Sequence, residues 1–187
     1  MQLISHRTVP APIEATWAAL NDPETLKACI PGCESVERTS DHEFKVGMTA
    51  RVGPVSAKFN GRIALSDVVP PSSYRMSFEG QGGAAGFARG EAKIALVTED
   101  GGTRIDYSAT AQVGGKLAQI GSRLVDAAAA KVAEDFFARF VERVGGAAAA
   151  AQPAQAPLAA SRSLVWRLGL AIAVIVAVAI YWLTRRG

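Results

Sequence analysis

Cysteine, histidine and aromatic side chains are all scarce in this sequence. Of its 187 residues, two are Cys, two are His and 7% are aromatic. A zinc site needs three or four ligands. Cys29 and Cys33 are separated by three residues rather than two, and His6 and His42 belong to no paired motif. No metal site is expected. The stretch "ACIPGCESVER" reads first as a corner: Cys29 at a helix end, a Pro31-Gly32 turn, and Cys33 opening a strand. A regulatory disulfide and an interaction at a cavity rim are the alternatives for it. Few aromatics leave little base-stacking surface. Lys and Arg number 20 against 17 Asp and Glu, with no basic block, so nucleic acid is not an expected partner.

Catalytic motifs are missing as well. There is no G-x-S-x-G elbow, and neither histidine is assigned as a base. The glycine-rich "GQGGAAGFARG" at 80–90 lacks the G-K-[ST] ending of a phosphate loop. It reads as a hairpin with little side-chain bulk, either a gate or a plain loop. Asp67 falls on an apolar register near a strand end and is expected to be exposed. Arg89 and Glu91 would face the apolar side only if a bulge shifted their strand. The expectation is a protein that is not an enzyme.

What is present is alternation. "EFKVGMTARV" sets Phe44, Val46, Met48, Ala50 and Val52 against Lys45, Thr49 and Arg51. "VSAKFNGRIALSDV" and "TRIDYSATAQV" alternate likewise, and "YRMSFEG" and "GEAKIALVTED" supply two more strands. Period-two patterning means strands with one covered face. Gly53-Pro54 and Asp100-Gly101-Gly102 read as turns between neighbours, so the sheet is an antiparallel meander. Before it, "MQLISHRTV" reads as a first strand, Pro12 opens a short helix holding Trp17 and Leu20, and Asp22-Pro23 caps a second one. From Lys116 to Val144 one long helix is expected, its inward stripe being Leu117, Ile120, Leu124, Ala128, Val132, Phe136, Phe140 and Val144. The domain is therefore 1–144, with fold class α+β.

Gly145-Gly146 is expected to stop that helix. Residues 145–163, "GGAAAAAQPAQAPLAASRS", read as a flexible Ala/Pro linker. Residues 164–184 hold the wholly apolar "LGLAIAVIVAVAIYWL". With its flanks this approaches the roughly 20 residues that span a bilayer. Trp166, Tyr181 and Trp182 lie at its ends, and Arg185 and Arg186 follow. "MQLISHRTVPAP" has no apolar signal region. The expectation is a single-pass C-terminal tail anchor, with the domain on the cytoplasmic face of the membrane. Gly169, Ala173 and Ala177 form a small-residue line, the candidate face of a weak homodimer.

A strand, two short helices, a six-strand meander and a terminal helix describe a helix-grip fold. The sequence resembles the START-like superfamily and, within it, the carbon monoxide dehydrogenase G-subunit family. The resemblance rests on "VPAPIEATWAALNDPETLKACIPGCESVE" at 9–37, "VGPVSAKFNGRIAL" at 52–65, "GTRIDYSATAQVGGKLAQIGSRLVDAAAAKVAEDFFARF" at 102–140, and the anchor. It implies an accessory protein of a molybdenum hydroxylase, usually carbon monoxide dehydrogenase, brought to the cytoplasmic membrane. It also implies a respiratory quinone, menaquinone or ubiquinone, held non-covalently in an apolar cavity and linking enzyme to quinone pool.

The candidate cavity lining comprises Phe44, Met48, Phe59, Ile63, Met76, Phe78, Phe87, Tyr107, Leu117, Ile120 and Leu124. Pro31, Gly32, Gly82, Gly83 and Gly86 form the candidate rim. Small residues such as Ala50, Ala109, Ala111, Gly121 and Ala128 leave room between the large ones. An apolar tunnel would favour a polyprenyl tail by burial, at about 25 cal/mol per Å². Tyr107 either offers its hydroxyl to a quinone carbonyl or is an ordinary core tyrosine. The competing function is a pure docking adaptor without ligand transport.

Overall fold

The structure, a computed structural model, describes the backbone of residues 2–151 and side chains as far as residue 146. Strand β1 (Gln2–Val9) is followed by helices α1 (Ile13–Leu20) and α2 (Pro23–Cys29). Six strands then run in series: β2 (Cys33–Ser40), β3 (Glu43–Val52), β4 (Val55–Val69), β5 (Ser73–Gln81), β6 (Phe87–Glu99) and β7 (Gly102–Gly114). All pair antiparallel with their sequence neighbours, and β1 returns to pair with β7, giving the order β1-β7-β6-β5-β4-β3-β2. Helices α3 (Lys116–Gln119) and α4 (Ser122–Ala151) complete the domain. This is the expected helix-grip arrangement of the α+β class.

The local chemistry behaves as its residue types dictate. Asp22 caps α2 by accepting from the Thr25 backbone N–H at 2.9 Å and from the Thr25 hydroxyl at 2.6 Å. Pro23 occupies the first helical turn, where its missing N–H costs nothing. The buried Thr103 hydroxyl donates to the Ala11 carbonyl at 2.8 Å, fastening β7 to the β1–α1 connection.

The terminal helix departs from expectation in three ways. It is broken: Gly121, at φ +93°, ends α3 and restarts the chain as α4. Leu117, Phe140 and Val144 are buried as expected, but in the first half of α4 the inward stripe shifts by one residue. Val125 and Phe137 are buried, while Leu124 and Val132 are 51% and 41% exposed. Gly145-Gly146 does not stop α4, which continues to Ala151. Two internal glycines cost about 1 kcal/mol each, and the alanines that follow are the strongest helix formers. Gly145 serves packing instead, since a Cβ there would meet Pro10 Cγ at 2.7 Å. Residues 145–151, expected in the linker, are thus part of α4. Among the described residues no helix is long and apolar enough to cross a membrane. The segments 152–163 and 164–184, with Gly169, Ala173 and Ala177, lie outside the described residues.

The core is divided. A main cluster at one end joins Val9, Tyr74, Ile94, Leu96, Ile105, Phe137 and Phe140. A second gathers Phe59, Ala85 and Leu117 at the other end, and a third gathers Val36, Phe44 and Val46 toward the β2 edge. The closest backbone approaches of α4 are to α2, β1, α1 and β3 rather than to the central strands.

Candidate functional site

Cross-strand register fixes which side chains face the helix. One inward row runs Phe44–Ile63–Phe78–Gly90–Ala111. The neighbouring rows run Val46–Gly61–Gly80–Ala88–Val113 and Leu65–Met76–Ala92–Ala109. The middle of the inner face is thus floored by Gly61, Gly80, Ala88, Gly90, Ala92 and Ala109. On α4, residues 127–130 and 133 are all alanine. Ile63, Met76, Phe78 and Tyr107 face inward and are only partly buried, as side chains around an interior hollow would be.

The expected lining divides accordingly. Phe44 is buried at the β2 edge, with Ile63 beside it. Met48, Phe59, Leu117 and Ile120 share the cluster that closes one end. Met76 and Tyr107 pack against the main core, and Tyr107 stacks on Phe137 with ring centroids 4.8 Å apart. Two residues do not line the hollow as expected. Phe87 lies on the outer face, two residues before Arg89, whose guanidinium sits 5.8 Å from its ring. β6 pairs without a bulge, so its even-numbered residues Ala88–Leu96 point inward and Phe87, Arg89 and Glu91 outward. Leu124 is half-exposed where the start of α4 meets the β3–β4 turn, 3.9 Å from the position a Gly53 Cβ would take.

The rim is tightly made. The Gly32 carbonyl accepts from Thr49 N–H at 2.8 Å, docking the Pro31-Gly32 corner on β3. Gly82, Gly83 and Gly86 bracket a 3-10 turn at Gly83–Ala85 that buries Ala85 and packs on Gly115. A Cβ on Gly86 would meet the Gly114 carbonyl oxygen at 1.9 Å. This loop closes its end of the sheet.

Polar groups that the sequence pattern does not announce lie on the inner face of β1. Ser5 pairs directly with Tyr107, and Arg7 Nη1 lies 3.3 Å from Ser5 Oγ. Alternation in "LISHRTV" away from buried Val9 is the signal that would have found them. On the outer face, two open depressions of about 690 and 770 Å³ meet at Arg62 and Glu79. Arg62 reaches Glu43 at 2.5 Å, and Arg89 reaches Gln112 at 3.2 Å.

The cysteine corner is structural. Cys29 is 1% exposed and Cys33 half-buried, and both thiols are free. Burial pushes both thiol pKa values up, against thiolate chemistry. His6 and His42 are exposed, and among the described residues no three His, Cys, Asp or Glu side chains are grouped to hold a metal. Asp67 is exposed and pairs with Arg75 at 3.1 Å.

A curved antiparallel sheet closed by a terminal helix defines a START-like, helix-grip fold. Solved structures agree. A conserved protein from Geobacillus kaustophilus is 30% identical, covering 79% of this chain and 97% of its own, with a TM-score of 0.73. A Thermus thermophilus protein (22% identity, 79% and 99% coverage, TM-score 0.60) and a Mycobacterium smegmatis protein (20%, 80% and 91%, 0.55) share the fold. Among curated proteins nothing matches. The family model of the carbon monoxide dehydrogenase G subunit (CoxG) matches residues 6–145, and the chain belongs to that family. Membership associates it with carbon monoxide dehydrogenase in an accessory role.

Proposed function

We propose that this chain is a membrane-anchored, non-enzymatic accessory protein of a carbon monoxide dehydrogenase-type molybdenum hydroxylase. It holds a respiratory quinone, menaquinone or ubiquinone, in the hollow and links the enzyme to the membrane quinone pool. The observation that carries the reading is the inner floor of glycine and alanine set by the strand register, on which Ile63, Met76 and Phe78 face inward without being fully buried. Such a space suits an isoprenoid chain, whose transfer from water is favourable along its whole length. The 164–184 segment is read as the anchor, with the domain on the cytoplasmic face.

The test uses the purified hydroxylase, its substrate, and vesicles containing menaquinone. Adding the full chain is expected to raise the rate of quinone reduction at least severalfold. A rate unchanged by the chain, with the hydroxylase nevertheless recruited to the vesicles, would reject the carrier and leave the docking adaptor.

A further inference from the structure

We propose that the end of the domain where α3 meets α4 is a docking surface for an anionic lipid bilayer. Three turns converge there: the β3–β4 turn at Gly53, the closed 82–86 loop, and the Gly115–Gly121 segment, all gathered on the Phe59, Ala85 and Leu117 cluster. Leu124 and Val132, eight residues apart on one flank of α4, are 51% and 41% exposed, with Ala128 between them. Leu124, Ala128 and Val132, at i, i+4 and i+8, form one apolar stripe of the kind an interfacial helix lays on a bilayer.

The α3–α4 end of this patch carries three cations. Arg51, Lys116 and Arg123 are exposed, and no acidic side chain pairs with any of them among the described residues. Lys58 nearby is already matched by Glu34 at 3.1 Å. Asp126 is the acid closest in sequence to Leu124, while Glu134 and Asp135 flank Val132, Asp135 being paired with Lys131 at 3.1 Å. The turns at the opposite end of the sheet carry Asp41, Asp67, Glu99 and Asp100, of which Asp67 pairs with Arg75 and Glu99 with Arg104. Arg51, Lys116 and Arg123 therefore leave the α3–α4 end the more cationic of the two. Cations around a small apolar patch match the headgroups and upper acyl region of an anionic leaflet.

The length of chain beyond the structure is compatible with this contact. From Val132 to the end of α4 is roughly 30 Å. The 12 residues of 152–163 extend to at most about 40 Å. The patch and the apolar 164–184 segment can therefore reach one bilayer together. The inference rests on charge and exposure, and it stands whether or not the hollow carries a quinone.

Residues 1–151 form a compact unit with its own core, so the test uses that domain without the tail. Its co-sedimentation is measured with vesicles of phosphatidylcholine alone and with vesicles in which roughly a third of the lipid is phosphatidylglycerol. Binding is expected only to the anionic vesicles and should fall with added salt. The double change Lys116→Glu and Arg123→Glu should lower partitioning at least tenfold, since each charge lost costs roughly fivefold. Leu124→Ser should lower it severalfold. Lys93→Glu, on the outer face away from the patch, should leave it unchanged. Equal binding to both vesicle types would overturn the proposal, as would undiminished binding by the double variant or an equal loss with Lys93→Glu. Thermal melts of each variant separate misfolding from lost docking. Quinone binding in vesicle-free solution separates this proposal from the carrier reading.

Discussion

The Phe78 ring lies against Gly90 of the neighbouring strand, its Cζ only 2.7 Å from where a Gly90 Cβ would stand. That Cβ would also meet the Thr110 carbonyl oxygen at 2.1 Å. The glycine leaves the room that the Phe78 ring occupies. Gly90→Ala should therefore displace both Phe78 and β7. The expected loss is about 1–3 kcal/mol, as for other overpacked sites, read from urea unfolding.

Phe140 is wholly buried and joins the main cluster through a stacked contact with Phe136, centroids 5.6 Å apart. This cluster fastens the middle of α4 to the sheet, with Phe137 stacked on Tyr107. Phe140→Ala should cost about 3–5 kcal/mol. Leu124→Ala, half-exposed at the other end, should cost under about 1 kcal/mol. Comparable losses at the two sites would show that the Gly121 break does not set the inward stripe.

Asp22 links acid stability to a single cap. The Thr25 hydroxyl, accepted by the carboxylate, is the main cause of a pKa below the usual aspartate range. A depressed carboxylate pKa adds stability above the unfolded-state value, near pH 4. That contribution is lost as pH falls through the lower folded value. Asp22→Ala should cost about 1 kcal/mol at pH 7, and the gap to wild type should close progressively below about pH 4. A gap independent of pH would mean that the cap acts without its charge.

Much of this was legible in the residues, for a physical reason. Period-two strands with one covered face declare that face, and Asp22-Pro23 and the Gly53 and Gly101 turns declare their own geometry. The misses arose where one local signal served two ends. Gly145 looked like a helix stop but is a close approach to Pro10. Gly121 looked like space inside a helix but ends one, and that single residue moved the buried stripe from Leu124 to Val125. Phe87 looked like lining because it is aromatic, although counting in twos back from Ile94 and Leu96 puts it outside. Ser5 and Arg7, inward beside Tyr107, were hidden by the assumption that inward means apolar. Whether the floor of small residues would be filled from above depended on the height of α4, which no local pattern reports.

The most direct test of the central claim replaces Ala88, on the floor of the hollow, with Phe. Native mass spectrometry of the detergent-free domain should show a quinone-sized adduct on wild type and little or none on Ala88→Phe, with the melting temperature nearly unchanged because the new ring enters empty space. A variant destabilised by about 1–3 kcal/mol would mean the interior is already packed. An adduct absent from wild type, or kept undiminished by the variant, would contradict the hollow as the place where the quinone is held.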